Sequence, residues 1–114
     1  MRSDDHLDNI KAYLDDNYCS HITLDDLSNR FYISKYCMIR DFKKRFGKTV
    51  LNYVLDKRIE KAKTLLTDTS FSPELIAKKC GFSGVNYFAR QFKRREGITS
   101  TEYRKKHLQK NKEE

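Results

Sequence analysis

The chain has 114 residues, 38% of them hydrophobic and 12% aromatic, with 24 Lys and Arg against 16 Asp and Glu for a net charge of +8. That balance fits one compact domain or two very small units, and it excludes a disordered segment. No apolar run approaches the roughly 20 residues that cross a bilayer, and the start from Met1 to Asp5 lacks the apolar stretch of a signal peptide, so no membrane partner and a cytoplasmic location are expected.

There are four Gly and one Pro, and period-2 runs of β-branched residues are scarce, so the expected class is all-α with about seven helices. The first helix is predicted from about Asp4 to Asn17, with Leu7, Ile10, Leu14 and Tyr18 spaced along one apolar face. Residues 1 to 30 carry a net charge of −4 and residues 31 to 114 a net +12. The acidic leading segment is therefore expected to be scaffold, turned away from any polyanion that the basic remainder attracts.

Thr23 before Leu24-Asp25-Asp26 reads as an N-cap with acidic first-turn residues, and the short helix it opens sends Leu24, Leu27 and Phe31 inward. Ser34 offers the next N-cap, and Lys35 to Phe46 places Met38, Phe42 and Phe46 at i, i+4 and i+8 until Gly47 ends the pattern. Two helices joined by a turn of a few residues, each buried on one side, form a helix-turn-helix pattern. The longest helix is predicted from about Val50 to Leu66, with Leu51, Leu55, Ile59, Ala62 and Leu66 as its apolar stripe and Lys57, Arg58, Lys61 and Lys63 beside it. At 1.5 Å per residue it spans roughly 25 Å, a core helix that also separates two units.

Ser72 caps and Pro73 opens a further helix through Leu75, Ile76 and Ala77 to Cys80. After the turn Gly81-Phe82-Ser83, Ser83 is the predicted cap of a helix carrying Phe88 and Phe92 inward and ending near Gly97. Thr99 or Ser100 caps a last helix from about Thr101, and Lys105 to Glu114 reads as a fraying charged stretch. These boundaries divide the chain into an N-terminal helix with a first helix-turn-helix unit (1–48), a linking helix (49–67), a second such unit (68–109) and a charged tail (110–114).

The chain also repeats itself. Arg40, Phe42, Lys43, Arg45, Gly47, Thr49 and Tyr53 recur fifty positions later as Arg90, Phe92, Lys93, Arg95, Gly97, Thr99 and Tyr103, with Lys44 answered by Arg94. Two copies are too few for a solenoid, so a duplicated surface-reading module is indicated. On a helical wheel Met38, Phe42 and Phe46 oppose Tyr36, Arg40, Lys43 and Lys44, and in the later copy Phe88 and Phe92 oppose Asn86, Arg90, Lys93 and Arg94. A helix fits the major groove of DNA, where Arg reads guanine and Asn reads adenine, each good contact worth ~1–3 kcal/mol of discrimination. Arg40, Arg90 and Asn86 have that chemistry. Lys43, Lys44, Lys93 and Arg94, a turn further along, suit phosphates, as do the free amides beside Ser34 and Ser83. Two blander readings stay open on the sequence: Arg40 and Arg90 paired with neighbouring acidic groups, and Tyr36 lying as a lid over core.

These residues resemble the DNA-binding region of the AraC/XylS family of bacterial transcription regulators. The resemblance runs from roughly Ile10 to Arg104 and rests most on Tyr87-Phe88-Ala89-Arg90-Gln91-Phe92-Lys93, Gly97-Ile98-Thr99 and Glu102-Tyr103-Arg104. Ile22-Thr23-Leu24 through Phe42-Lys43-Lys44, Arg58 to Lys63, Ile76-Ala77 and Gly81-Phe82-Ser83 add to it. It implies a homeodomain-like, all-α fold with two helix-turn-helix subdomains joined by a long helix, two recognition helices in successive major grooves, and RNA polymerase as a partner in activation. Carried onto this sequence, the base-reading positions are Lys35, Tyr36, Ile39 and Arg40, then Gly84, Val85, Asn86 and Arg90. The sequence departs from the family at Ser100, where Pro is common, and at Ile39 and Val85, which are apolar where polar readers often stand. The leading pattern from Ile10 to Leu24 is similar to members that follow a receiver domain, as in YesN-like two-component response regulators, so a piece of a longer regulator is favoured over a stand-alone one.

An RNA-binding or protein-interaction module shares the charge, but the aromatics sit at core positions and no RNA-module motif is present. No Ser/His/Asp or Cys/His arrangement, carboxylate pair or phosphate-cradling Gly loop is visible, so no enzyme and no cofactor are expected. Cys19, Cys37 and Cys80 are widely spaced, as are His6, His21 and His107, which suits buried thiols in a reducing compartment and no metal site. Two reading units occupy a site as a monomer, so this stretch is expected to be monomeric, with dimerisation left to a longer protein.

Overall fold

A computed structural model describes residues 3–112. Among them the regular structure is helical throughout: α1 (Ser3–Asn17), α2 (Leu24–Phe31), α3 (Lys35–Phe46), α4 (Val50–Asp68), α5 (Pro73–Cys80), α6 (Val85–Glu96) and α7 (Ser100–Lys112). The chain divides inside α4, between Leu55 and Asp56, into two compact units. No helix of the described residues is long and apolar enough to cross a membrane.

In the first unit α1, α2 and α3 pack on one another around Leu7, Ile10, Leu14, Leu27, Met38, Phe42, Val50 and Val54. Phe42 is fully buried, its ring meeting Phe46 at 4.7 Å and Tyr53 edge-on at 5.7 Å between centroids. Truncating such a ring costs roughly 3–5 kcal/mol. The caps set the helix starts: the Thr23 hydroxyl accepts from the Asp26 amide at 3.0 Å, and that of Ser34 from the Cys37 amide at 3.1 Å. α2 ends on Tyr32, whose φ of 52° lies in the left-handed region, and α3 ends on Gly47. The Tyr53 hydroxyl donates to the Asp15 carboxylate, tying the start of α4 to α1.

The apolar stripe of α4 departs from expectation at its first turn. Leu51 is 59% exposed, while Val50 and Val54 are buried in the first unit's core. Arg58, expected beside the stripe, is buried instead, with its guanidinium 6.0 Å from the Phe82 ring.

The second unit buries Ile59, Ala62, Leu66, Ile76, Ala77, Cys80, Phe82, Phe88 and Phe92. Phe92 meets Tyr103 edge-on at 5.5 Å, the counterpart of the Phe42–Tyr53 contact. Ser72 caps α5 by accepting from the Leu75 amide at 3.2 Å, with Pro73 in the first turn. Ser83 does not cap α6: the N-cap is Gly84, in extended backbone, with no side-chain cap hydrogen bond. The helix begins one residue later than the Ser83 cap requires, which leaves that hydroxyl outside the cap position. The Thr99 hydroxyl accepts from the Glu102 amide at 3.1 Å and donates to the Glu102 carboxylate at 3.0 Å, so Thr99 caps the first turn of α7. α7 continues through Lys112, so residues 105–112 are helical and not a frayed stretch; the last two residues of the expected tail lie outside the described residues. Cys80 is fully buried, but Cys19 and Cys37 are only half-buried, against the expectation of three buried thiols.

Candidate nucleic-acid interface

Two twelve-residue helices, α3 and α6, carry the candidate surface. In α3, Met38 and Phe42 face the core, and Lys35, Tyr36, Ile39, Arg40, Lys43 and Lys44 are exposed. In α6, Phe88 and Phe92 face the core, and Asn86, Arg90, Lys93 and Arg94 are exposed. The periodicity that builds each core therefore also fixes each outer face. Gly84 is exposed at the N-cap of α6 and Val85 is half-buried. Ser34 and Ser83 are both exposed, but only Ser34 is in a cap, and its hydroxyl already satisfies one first-turn amide.

Two cations of α3 lie in ion pairs. Lys35 Nζ lies 2.9 Å from Asp25 in α2. Arg40 Nε donates to Asp41 Oδ1 at 2.8 Å and Nη2 approaches Oδ2 at 3.4 Å. The neighbouring-acid reading of Arg40 is therefore realised, and its guanidinium also lies 5.4 Å from the Tyr36 ring. That pairing uses one edge of the guanidinium and leaves the Nη1 end for a second partner. The hydrogen bond to Asp41 raises the Arg40 pKa, and the same bond holds the Asp41 carboxyl below the usual carboxylate range. Tyr36 is 72% exposed, so it is no lid over core.

In α6 the Arg90 guanidinium lies 6.0 Å from the Tyr87 ring. Ala89, Arg90, Lys93, Arg94 and Thr99 line an open groove, so three cationic side chains border one concave surface. Ala89 is the exposed residue that the candidate set leaves out; its position fifty residues after Ile39 is the signal that marks it. Arg45 and Arg95, repeated like the readers, are turned to other work: Arg45 lies 2.8 Å from Asp8 and Arg95 3.2 Å from Asp56.

A family model described as a helix-turn-helix domain matches residues 27–106. An uncharacterised HTH-type transcriptional regulator of Escherichia coli K-12, YdiP, is 33% identical over 105 residues, 92% of this chain and 35% of that protein. The chain thus spans about a third of that relative's length. The crystal structure of the C-terminal domain of the two-component response regulator yesN from Fusobacterium nucleatum is 38% identical, covers 85% of this chain and 95% of its own, and superposes with a TM-score of 0.81. The DNA-binding domain of the transcriptional factor AdpA, solved in complex with a target DNA, shares the fold at a TM-score of 0.86 and 23% identity, over 91% of this chain and 94% of its own.

Proposed function

The chain belongs to the AraC/XylS type of helix-turn-helix DNA-binding domains of transcription regulators, and from that membership we propose how it reads DNA. α3 and α6 enter successive major grooves of a duplex, with Lys35, Tyr36, Ile39 and Arg40, then Gly84, Val85, Asn86 and Arg90, at the base edges. Lys43, Lys44, Lys93 and Arg94 meet phosphates, as do the amides beside Ser34 and Ser83. The observation that carries this reading is the matched exposure of Arg40 with Lys43 and Lys44 on α3 and of Arg90 with Lys93 and Arg94 on α6, each set backed by a buried Phe. Burial of the opposite face of each helix leaves these residues outside the core, and a cationic helix face is what a groove walled by phosphates attracts.

Phosphate contacts set register and affinity while base-edge contacts set sequence. Two half-sites about one helical turn apart, roughly 34 Å, add avidity because the second helix binds at high effective concentration. In this reading the domain acts by positioning a longer regulator, with RNA polymerase as its partner at a promoter, in the cytoplasm and without catalysis of its own. The domain is monomeric on its duplex. The regulator from which it comes carries an input domain, and the likeness to a response-regulator C-terminal domain favours a receiver.

Selection from a random duplex library, followed by anisotropy titrations of the winner, a scrambled duplex and the matching RNA from 50 to 300 mM salt, tests this. The expected result is a bipartite motif bound ~10³-fold or more above scrambled DNA. Equal and steeply salt-dependent binding to all three sinks the base-reading roles.

A further inference from the structure

The two reading helices offer different chemistry at matched positions. At the fifty-residue offset Tyr36 is answered by Asn86 and Ile39 by Ala89, while Arg40 and Arg90 are the same. Tyr36 is 72% exposed and Ile39 44%, and neither belongs to the partly buried residues that pack on the first unit's core. They stand three residues apart, hence as neighbours on one helix face. Beside them Lys35 lies 2.9 Å from Asp25, and Arg40 lies 2.8 Å from Asp41 through one edge of its guanidinium. The first turns of α3 therefore present apolar atoms in water beside cations that have partners. The same stretch of α6 presents a carboxamide and a single methyl.

The major-groove edge of a base pair carries one apolar group, the C5 methyl of thymine. An isoleucine side chain buries against that methyl, whereas cytosine at the same place leaves it against a polar edge. Resting on the DNA-reading role argued above, we propose that α3 selects thymine by its methyl group through Ile39, with the Tyr36 ring as the adjoining wall, while α6 selects by hydrogen bonds from Asn86 and Arg90. The duplicated module thus adds to the matched Arg40 and Arg90 an apolar contact in one half-site and a carboxamide in the other.

Deoxyuridine keeps every hydrogen-bonding group of thymidine and lacks only the methyl, so it isolates the contact. In the selected duplex each thymine is exchanged singly for deoxyuridine and titrated with the 114-residue chain, with Ile39→Ala, which reproduces the residue of the second copy, and with Ile39→Val. Removal of the methyl at one or two thymines of a single half-site is expected to weaken the parent chain roughly three- to fivefold. Ile39→Ala abolishes that difference and Ile39→Val retains part of it. Because Ile39 is outside the core, the three proteins melt alike, which separates lost contact from lost folding. A duplex bound selectively over scrambled DNA in which no thymine couples to Ile39 overturns methyl reading and leaves DNA reading standing. Binding that prefers no duplex overturns both.

Discussion

Arg95 in α6 lies 3.2 Å from Asp56 in α4. Its guanidinium also donates to Gln91 at 3.0 Å, and its side chain is only 15% exposed. Arg45 in α3 makes the corresponding reach to Asp8 in α1 at 2.8 Å, with 39% of its side chain exposed. Each arginine ties its reading helix to the helix that opens its own unit. A cation repeated at the fifty-residue offset is thus not by that fact a DNA contact.

Replacing Arg95 by Met keeps the aliphatic packing and removes the ion pair with Asp56 and the hydrogen bond to Gln91. Because Asp56 is 42% exposed and partly screened, the expected loss of stability is about 1–2 kcal/mol. Titration of DNA by the folded variant is expected to give the parent salt slope, whereas Lys93→Ala lowers that slope by about one unit. An equal fall in slope for both variants would put Arg95 on the phosphates.

Tyr32 ends α2 with φ 52° and a side chain 92% exposed. The second unit has Gly81, φ 94°, at the corresponding turn. A left-handed conformation costs a non-glycine residue about 1–2 kcal/mol, and this side chain recovers little of it by packing. Glycine adds about 0.5–1 kcal/mol of unfolded-state entropy, so Tyr32→Gly is expected to stabilise by a few tenths to about 1 kcal/mol. Thermal melting then shifts upward by a few degrees; a downward shift would mean that the Tyr32 ring has a stabilising contact.

The caps of the two reading helices differ in a way that stability measurements resolve. Ser34→Ala removes the acceptor for the Cys37 amide and is expected to cost about 1 kcal/mol. Ser83→Ala removes no cap contact, since Gly84 stands at the N-cap, and is expected to stay within about 0.5 kcal/mol. Equal losses in urea melts of the two variants would place Ser83 back in the cap.

The helix starts at Thr23 and Ser34 were legible because a capping side chain stands directly before a periodic apolar run, and the one at Ser72 because Pro73 follows it in the first turn. Ser83-Gly84 offers two candidates one residue apart, and local chemistry favours the serine. The choice went to Gly84, a one-residue difference that propensity does not resolve. Leu51 was misplaced for a related reason. A stripe drawn through the leucines of α4 ignores Val50 and Val54, which meet the first unit's core. The exposed faces of α3 and α6 followed from buried aromatic spacing, which puts Tyr36, Arg40, Asn86 and Arg90 outward, whereas Lys35, Ile39, Gly84 and Val85 entered the candidate set only through the family resemblance. The pairing of Arg40 with a neighbouring acid was one of the open readings, but the Lys35 partner was not legible, because an exposed Asp25 carries no periodic signal that tells a tethering carboxylate from a solvated one. The charged end of α7 reads alike as helix or tail for the same reason.

Asp41 gives the last test. Its carboxylate accepts from Arg40 Nε at 2.8 Å, orienting a guanidinium whose other end is left for guanine. The carboxyl is held below its ordinary value chiefly by that hydrogen bond, so the tether is present above the unfolded-state pKa and is lost as pH falls through the lowered folded value. Across neutral pH it is intact, and binding is expected to show no titration from it. Asp41→Asn loosens the tether at every pH and removes a negative charge beside the DNA surface. Affinity for scrambled duplex is expected to rise, while preference at the base pair read by Arg40 loses part of the ~1–3 kcal/mol that a bidentate contact supplies. Parallel titrations of the selected and scrambled duplexes measure both changes. A variant that gains affinity for both duplexes equally would show that Asp41 only repels DNA and does not aim Arg40.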